Sequence, residues 1–201
     1  MTCINQPYGS INVIVGPMFA GKSNVLIDGY LEHSADAILV KPERDTRDDV
    51  NVIKTHNDRY CSCRTYSTVE AVAGDTKLFK YIFIDEGQFF PDICSGCKLL
   101  RSQGHVVTVA ALSNNFKCEP FDNIAKLCAI ADHVEYKHGT CATLGCTRPS
   151  SFTRILQQRE GDIHIGGSEL YEPCCAIHHA IPGQPAEDFN IFGYNMASMY
   201  L

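Results

Sequence analysis

Residues Gly16, Pro17, Met18, Phe19, Ala20, Gly21, Lys22 and Ser23 constrain this chain more than any other stretch. They match G-x-x-x-x-G-K-[ST], a turn whose backbone curls around phosphate groups. The pattern carries weight only between a strand and a helix, and both are legible. Residues 10–15 form a short apolar run of the kind a buried strand needs, and residues 22–33 have a helix-compatible apolar pattern. Background composition produces the eight-residue pattern in about one chain in a hundred of this length, even before that context is required. An ordinary glycine turn is therefore the weaker reading. In the stronger one, glycines let successive N–H groups point inward, and the helix N-terminus adds its partial positive charge. Lys22 then reaches the β- and γ-phosphates, and the Ser23 hydroxyl falls on Mg²⁺.

Further apolar runs at 37–40, 81–84 and 106–112 are bounded by polar or glycine-containing segments. They predict strands of an open, parallel α/β sheet covered on both faces. The run at 81–84 ends in Asp85 and Glu86, where a nucleotide-binding sheet places its metal-associated acid. Asp85 is assigned to Mg²⁺. Glu86 has three readings: a solvated surface acid, a base that activates water, or a base that takes a proton from a substrate hydroxyl. The motif does not choose between the last two.

The chain has 201 residues, 45% of them hydrophobic, enough for one substantial core and a small appended module. The formal charge of -6 supplies no positive field for a polyanion and argues against nucleic acid as a partner. Neither a signal peptide nor a membrane-spanning run is expected, so the chain reads as cytoplasmic. Eleven cysteines are an odd number in a reducing compartment, which favours metal ligation and burial over disulfides. Cys141-x4-Cys146 and Cys175-x2-His178 offer three thiolates and one imidazole, a closed tetrahedral set for structural Zn²⁺. Cys174 is the alternative to Cys175. Cys94 and Cys97 have metal-like spacing but fall in a predicted helix after Pro91, and with Cys61 and Cys63 they read as buried or partly exposed thiols. The organisation expected is a nucleotide-binding domain over 1–138, a zinc and lasso module over 139–181 and a tail over 182–201.

Several motifs coincide in order: GPMFAGKS; Asp45-Thr46-Arg47; Asp85-Glu86-Gly87-Gln88-Phe89-Phe90-Pro91-Asp92; Ala110-Ala111-Leu112 with Phe116, Pro120 and Phe121; and Ile165-Gly166-Gly167 with Tyr171. The set resembles the type II thymidine kinases, a cytosolic and viral group with a P-loop (RecA-like) fold and a zinc-bearing lasso. That resemblance implies an ATP-dependent transfer to the 5′-hydroxyl of thymidine, and of deoxyuridine, with ATP, Mg²⁺ and structural Zn²⁺ as cofactors. Glu86 would be the base on that hydroxyl, with Lys22 and Arg47 offsetting charge during transfer. Asp45, Thr46, Gly87 and Gln88 would belong to the nucleotide-contacting stretch. Met18, Phe89, Leu112, Phe116, Phe121 and Thr153 would surround sugar and base, and Asp162, Ile163, His164, Ile165, Gly166 and Tyr171 would form the lasso over the base. It also implies a homotetramer and feedback inhibition by thymidine triphosphate.

Some positions depart from the family. Ser113-Asn114-Asn115 stands where an acid or asparagine followed by Gly-Thr is usual, and asparagine is the best non-glycine residue where a positive φ is needed. The first cysteine pair is spaced by four rather than two residues. Two competing classes are a P-loop ATPase in which Glu86 activates water, and a zinc-ribbon nucleic-acid binder. The acidic charge and the aromatic residues around Phe89, Phe116 and Phe121 count against the first, and the scarcity of basic residues around the zinc ligands against the second.

Overall fold

The computed structural model describes residues 8–47, 49–55, 59–75, 78–156 and 166–180. Asp162 to Ile165 of the expected lasso and the tail 182–201 lie outside the described residues. In chain order the elements are β1 (Ser10–Gly16), α1 (Lys22–Glu32), β2 (Ala37–Pro42), β3 (Val52–Lys54), β4 (Tyr60–Ser62), β5 (Arg64–Tyr66) and α2 (Val69–Asp75). Then follow β6 (Tyr81–Ile84), a 3-10 turn (Gly87–Phe89), α3 (Ile93–Ser102), β7 (Val106–Leu112), α4 (Asp122–Ile130) and β8 (His133–Tyr136). The short elements β9 (Gly139–Thr140), β10 (Pro149–Ser150), β11 (Phe152–Ile155), β12 (Tyr171–Cys174) and α5 (Ala176–Ala180) complete the described chain.

Six strands form one sheet in the order β5-β2-β6-β7-β1-β8, with every neighbouring pair parallel. Side chains alternate across a strand, so adjacent residues of one apolar run serve two cores. Ile82 and Ile84 pack with Val69, Ile93 and Leu100 on the face covered by α2, α3 and α4. Phe83 between them packs with Leu26 and Ile27 of α1 on the other face. Burial on both sides explains why β1, β2, β6 and β7 read as near-continuous hydrophobic runs. Each fully buried Ile, Leu or Val contributes about 1.5–3 kcal/mol. The expected α/β sheet is therefore present, with β6 and β7 at the anticipated boundaries and β1 and β2 running one and two residues further. Helix α1 ends at Glu32, where the N–H of His33 turns back to the Tyr30 carbonyl.

The described residues between 139 and 180 are built differently. Two antiparallel pairs, β9 with β10 and β11 with β12, pack around Cys141, Cys146, Cys174, Cys175, Ile177 and Phe152. Arg154 of β11 donates through Nε to Glu172 Oε1 at 2.8 Å and through Nη1 to the His178 carbonyl at 2.8 Å, tying both strands to α5.

Candidate active site

β6, β7 and β1 are neighbours, and their carboxyl ends deliver Ile84, Leu112 and Gly16 to one edge of the sheet. That edge is where open α/β sheets bind ligands. Gly16 leaves β1 at φ 152°, and a Cβ there would lie 2.2 Å from the Lys137 carbonyl oxygen. Gly21 caps α1 in the left-handed region at φ 78° with nothing near its missing Cβ, so backbone conformation alone demands the glycine. Phe19, between them, also takes a positive φ of 63°. The strand, glycine turn and helix start are those of a phosphate cradle.

The turn meets its chemistry in a cleft of about 560 Å³. Lys22 is buried and donates from Nζ to the Pro17 carbonyl at 2.6 Å. Burial lowers its pKa to about 8 against the attraction of Glu86 and Asp85. Ser23 Oγ donates to Asp85 Oδ1 at 3.1 Å. The Asp85 carboxyl is pushed up to about 7 by burial and by the neighbouring Glu86 charge. An oxygen pair of this kind, one hydroxyl and one buried carboxylate beside a phosphate turn, fits a hard divalent cation.

Glu86 adopts the left-handed region, φ 51° and ψ 43°, a conformation costing a non-glycine residue about 1 kcal/mol. Its two oxygens are held from opposite sides: Arg47 Nη2 donates to Oε1 at 2.5 Å and Gln88 Nε2 to Oε2 at 2.5 Å. Gln88 is itself fixed, accepting at Oε1 from the Leu112 N–H at 3.1 Å. Arg47 also grips Asp45 with two nitrogens, at 2.7 and 3.0 Å. Burial opposes the Asp45 charge, yet the Arg47 hydrogen bonds keep its pKa below the ordinary carboxylate value. Thr46, between the pair, is exposed, and Gly87 is buried.

Beside this polar cleft lies an apolar cluster of Met18, Leu170 and Tyr171, with Phe19, Leu112, Phe116 and Ile155 packed against it. Met18 and Leu112 line both. Thr153 of β11 reaches the phosphate turn, its Oγ1 accepting from the Met18 N–H at 3.0 Å. Of the acceptor-site residues read from sequence, Met18, Leu112, Phe116, Thr153 and Tyr171 come together here. Phe121 packs against the main core beside Ile124 and Leu127, and Phe89 lies beneath the Arg44 guanidinium, 5.7 Å from its ring centre. Gly166 stands close to Leu170. Asn114 and Asn115 do not take positive φ; Cys118 does, at 63°. Asn115 instead builds the turn through its side chain, Oδ1 accepting from the N–H groups of Lys117 and Glu119 at 2.9 and 3.0 Å.

Cys141, Cys146, Cys175 and His178 are all buried, and their ligand atoms lie within 4.8 Å of one another. Both Cys141 Sγ and Cys175 Sγ approach His178 Nδ1, at 3.2 and 3.3 Å. Despite burial, hydrogen bonds from the Cys175 and Thr143 backbone bring the Cys141 thiol down to about 6, the direction a metal thiolate needs. Three soft sulfurs and one imidazole at this spacing fit tetrahedral Zn²⁺. Cys174 is outside the set, and burial pushes its thiol up to about 12. Cys97 is fully buried in α3, and Cys94 donates to the Asn123 carbonyl.

A family model described as thymidine kinase matches residues 9–179. The chain belongs to the thymidine kinase family. It is 36% identical over 170 residues to the thymidine kinase of Myxoma virus (strain Lausanne), covering 83% of this chain and 94% of the viral one. The cytosolic thymidine kinase of Gallus gallus is 34% identical over 85% of this chain and 76% of its own, and that of Homo sapiens 32% identical over 92% and 85%. Membership of the thymidine kinases implies ATP as cofactor and a nucleoside as substrate. No helix among the described residues is long and apolar enough to cross a membrane.

Sequence reading missed several residues of this kinase site. Asn24, Ile53, Lys54 and Thr55 line the cleft, the last three from the β3–β4 hairpin, whose three-residue strands are too short to show a period. Leu170 is fully buried in the apolar cluster but follows Ser168 and Glu169 in the sequence, with only Tyr171 apolar beside it.

Proposed function

We propose that the protein transfers the γ-phosphoryl group of ATP to the 5′-hydroxyl of thymidine, and of deoxyuridine. The observation carrying this reading is the position of Glu86, which stands at the junction of the phosphate turn with the apolar cluster and is held by Arg47 and Gln88. Each carboxylate oxygen retains a second lone-pair site, so Glu86 accepts the hydroxyl proton without surrendering either support. Lys22 and the 16–23 turn bind and align the phosphates, with Arg47, held by Asp45, offsetting charge from the other side. Ser23 and Asp85 would hold Mg²⁺, which supplies neutralisation of phosphate charge when bound. Transfer of this kind needs alignment and charge compensation more than covalent chemistry.

On the acceptor side, Met18, Leu112, Phe116 and Tyr171 enclose the sugar and base, and residues 162–166 cover the base. Main-chain groups there pair with the N3–H and carbonyls of thymine; cytosine presents the opposite pattern and leaves buried groups unpaired at about 1–3 kcal/mol each. The Cys141, Cys146, Cys175 and His178 set holds Zn²⁺ in a structural role. The division into a nucleotide-binding domain (1–138), a zinc and lasso module (139–181) and a tail (182–201) belongs to the same reading. So do a cytoplasmic location, a homotetramer and inhibition by thymidine triphosphate, all supported by family resemblance. The deciding experiment incubates the purified chain with Mg·ATP and each deoxynucleoside in turn. ADP release is expected only with thymidine and deoxyuridine; equal release without a nucleoside turns the reading into an ATPase.

A further inference from the structure

Lys41 is 1% exposed and heads the fully buried side chains by size. It stands on β2 immediately before Pro42, and its ammonium donates to the carbonyls of Asp49 and Val52 at 2.9 and 2.8 Å. A position that required only packing would be filled more cheaply by an apolar residue of similar length, because burying an ammonium is costly unless its hydrogens are used. Here they hold a turn. The same turn is held from β5: the Asn51 N–H donates to Thr65 Oγ1 at 3.3 Å, and Thr65 Oγ1 donates to Asn51 Oδ1 at 2.9 Å. Asn51 accepts the Cys63 N–H at 2.9 Å and sits at φ 65°.

Between Pro42 and this pinned turn the chain makes the excursion that carries Asp45 and Arg47. Its near end is closed by the Asp45 N–H on the Pro42 carbonyl at 3.0 Å, and its far end by Lys41. The Lys41 charge also favours the ionised form of the Asp45 carboxylate, and that carboxylate holds the Arg47 guanidinium that reaches Glu86. We propose that Lys41 is a positioning residue for phosphoryl transfer: it clamps the 49–52 turn to the end of β2 and so holds Arg47 against Glu86 and the donor phosphates.

The inference rests on the role assigned above to Arg47, and a double-mutant cycle separates the two. Lys41→Met keeps the length of the side chain and removes its donors. In the full-length protein with saturating Mg·ATP, it is expected to lower kcat about 30-fold with the KM for thymidine unchanged, since misplacement of a positioned group costs rate rather than remote binding. In an Arg47→Ala background the same substitution should cost less than about twofold, because two residues acting through one contact are not additive. Equal losses in both backgrounds, or native kcat in a folded Lys41→Met protein, overturn the proposal. Should melting show that Lys41→Met does not fold, Thr65→Val loosens the same turn from a half-buried position. An expected loss of about threefold should then vanish beside Arg47→Ala; no loss, or an equal one, is a refutation. Native activity in Arg47→Ala alone removes the assumed role of Arg47 and the clamp with it, whereas the native chain's thymidine turnover is read independently.

Discussion

The donor half and the acceptor half of this site are ordered by different forces. Asp85 and Glu86 follow directly on β6, and Lys22 opens α1 after the glycine turn that leaves β1; alternate side chains of these strands fill two cores, so hydrophobic burial across the whole sheet fixes their positions. Thr153 and Tyr171 stand on two four-residue strands whose local core is four cysteines and an isoleucine, with one phenylalanine against it. Few apolar side chains are buried there, and on the proposed reading a bound metal would help offset the chain entropy. One half is a product of the fold; the other, on that reading, would depend on a ligand of the fold.

The comparison is broken most sharply at Glu86, which serves both halves. Glu86→Gln keeps the hydrogen bond to Gln88 within reach but removes the proton acceptor. A loss of about a thousandfold in kcat is expected, as for removal of a general base, with nucleotide affinity changed little. Equal turnover in the variant would reject the assigned base and leave only a structural carboxylate.

Zinc removal should separate the halves. Cys146→Ser takes one ligand from a closed set of four, and chelation takes the ion itself. Either should leave binding of ATP, measured by fluorescence or calorimetry, within about threefold of native while thymidine phosphorylation falls about a hundredfold. Contacts that make the link include Thr153 Oγ1 on the Met18 N–H, and His179 Nε2 donating to the Phe116 carbonyl at 2.8 Å. Metal analysis is the control. If the variant retains equal zinc and equal stability, the ligand assignment is wrong.

The same contrast governs what could be read from the chain beforehand. β6 and β7 were legible to the residue, since a strand buried on both faces must be apolar throughout. β8 at the sheet edge was not, because His133 and Glu135 alternate with the exposed Val134 and Tyr136, leaving no apolar run and only a short alternation. The phosphate turn was legible because its glycines answer to conformation, as Gly21 shows. Cys175 was favoured over Cys174 as ligand by spacing, since two residues before His178 close a metal knuckle more naturally than three, and the β12 to α5 junction brings Cys175 to His178. Phe116 and Phe121 look alike in sequence and separate only in space, one against Tyr171 and the other against Ile124 and Leu127.

That separation is testable. Phe116→Leu should raise the KM for thymidine about tenfold by removing a face of the apolar cluster, with the KM for ATP unchanged. Phe121→Leu should leave both KM values near native and lower stability by about 1 kcal/mol, the cost of a reshaped core contact. Reversed effects would move the acceptor pocket toward α4.

The smallest expected effect lies in the pH dependence of the donor half. With Asp85 raised to about 7, its carboxyl takes up a proton as pH falls through that value and loses its capacity to hold a cation. With Lys22 lowered to about 8, the ammonium is lost as pH rises through it, and with it a positive charge for the phosphates. The ratio kcat/KM for ATP reports the free enzyme and should therefore peak between these limits. On the acid side it should fall about threefold from pH ~7.5 to pH ~6.5, the change in the ionised fraction of a group with that pKa. Asp85→Glu keeps a carboxylate but extends it toward solvent, which lightens the burial that raises the pKa, so its acid limb should shift to lower pH. An acid limb that stays in place would assign the titration to another group, and the buried carboxylate would then be ionised throughout the working range.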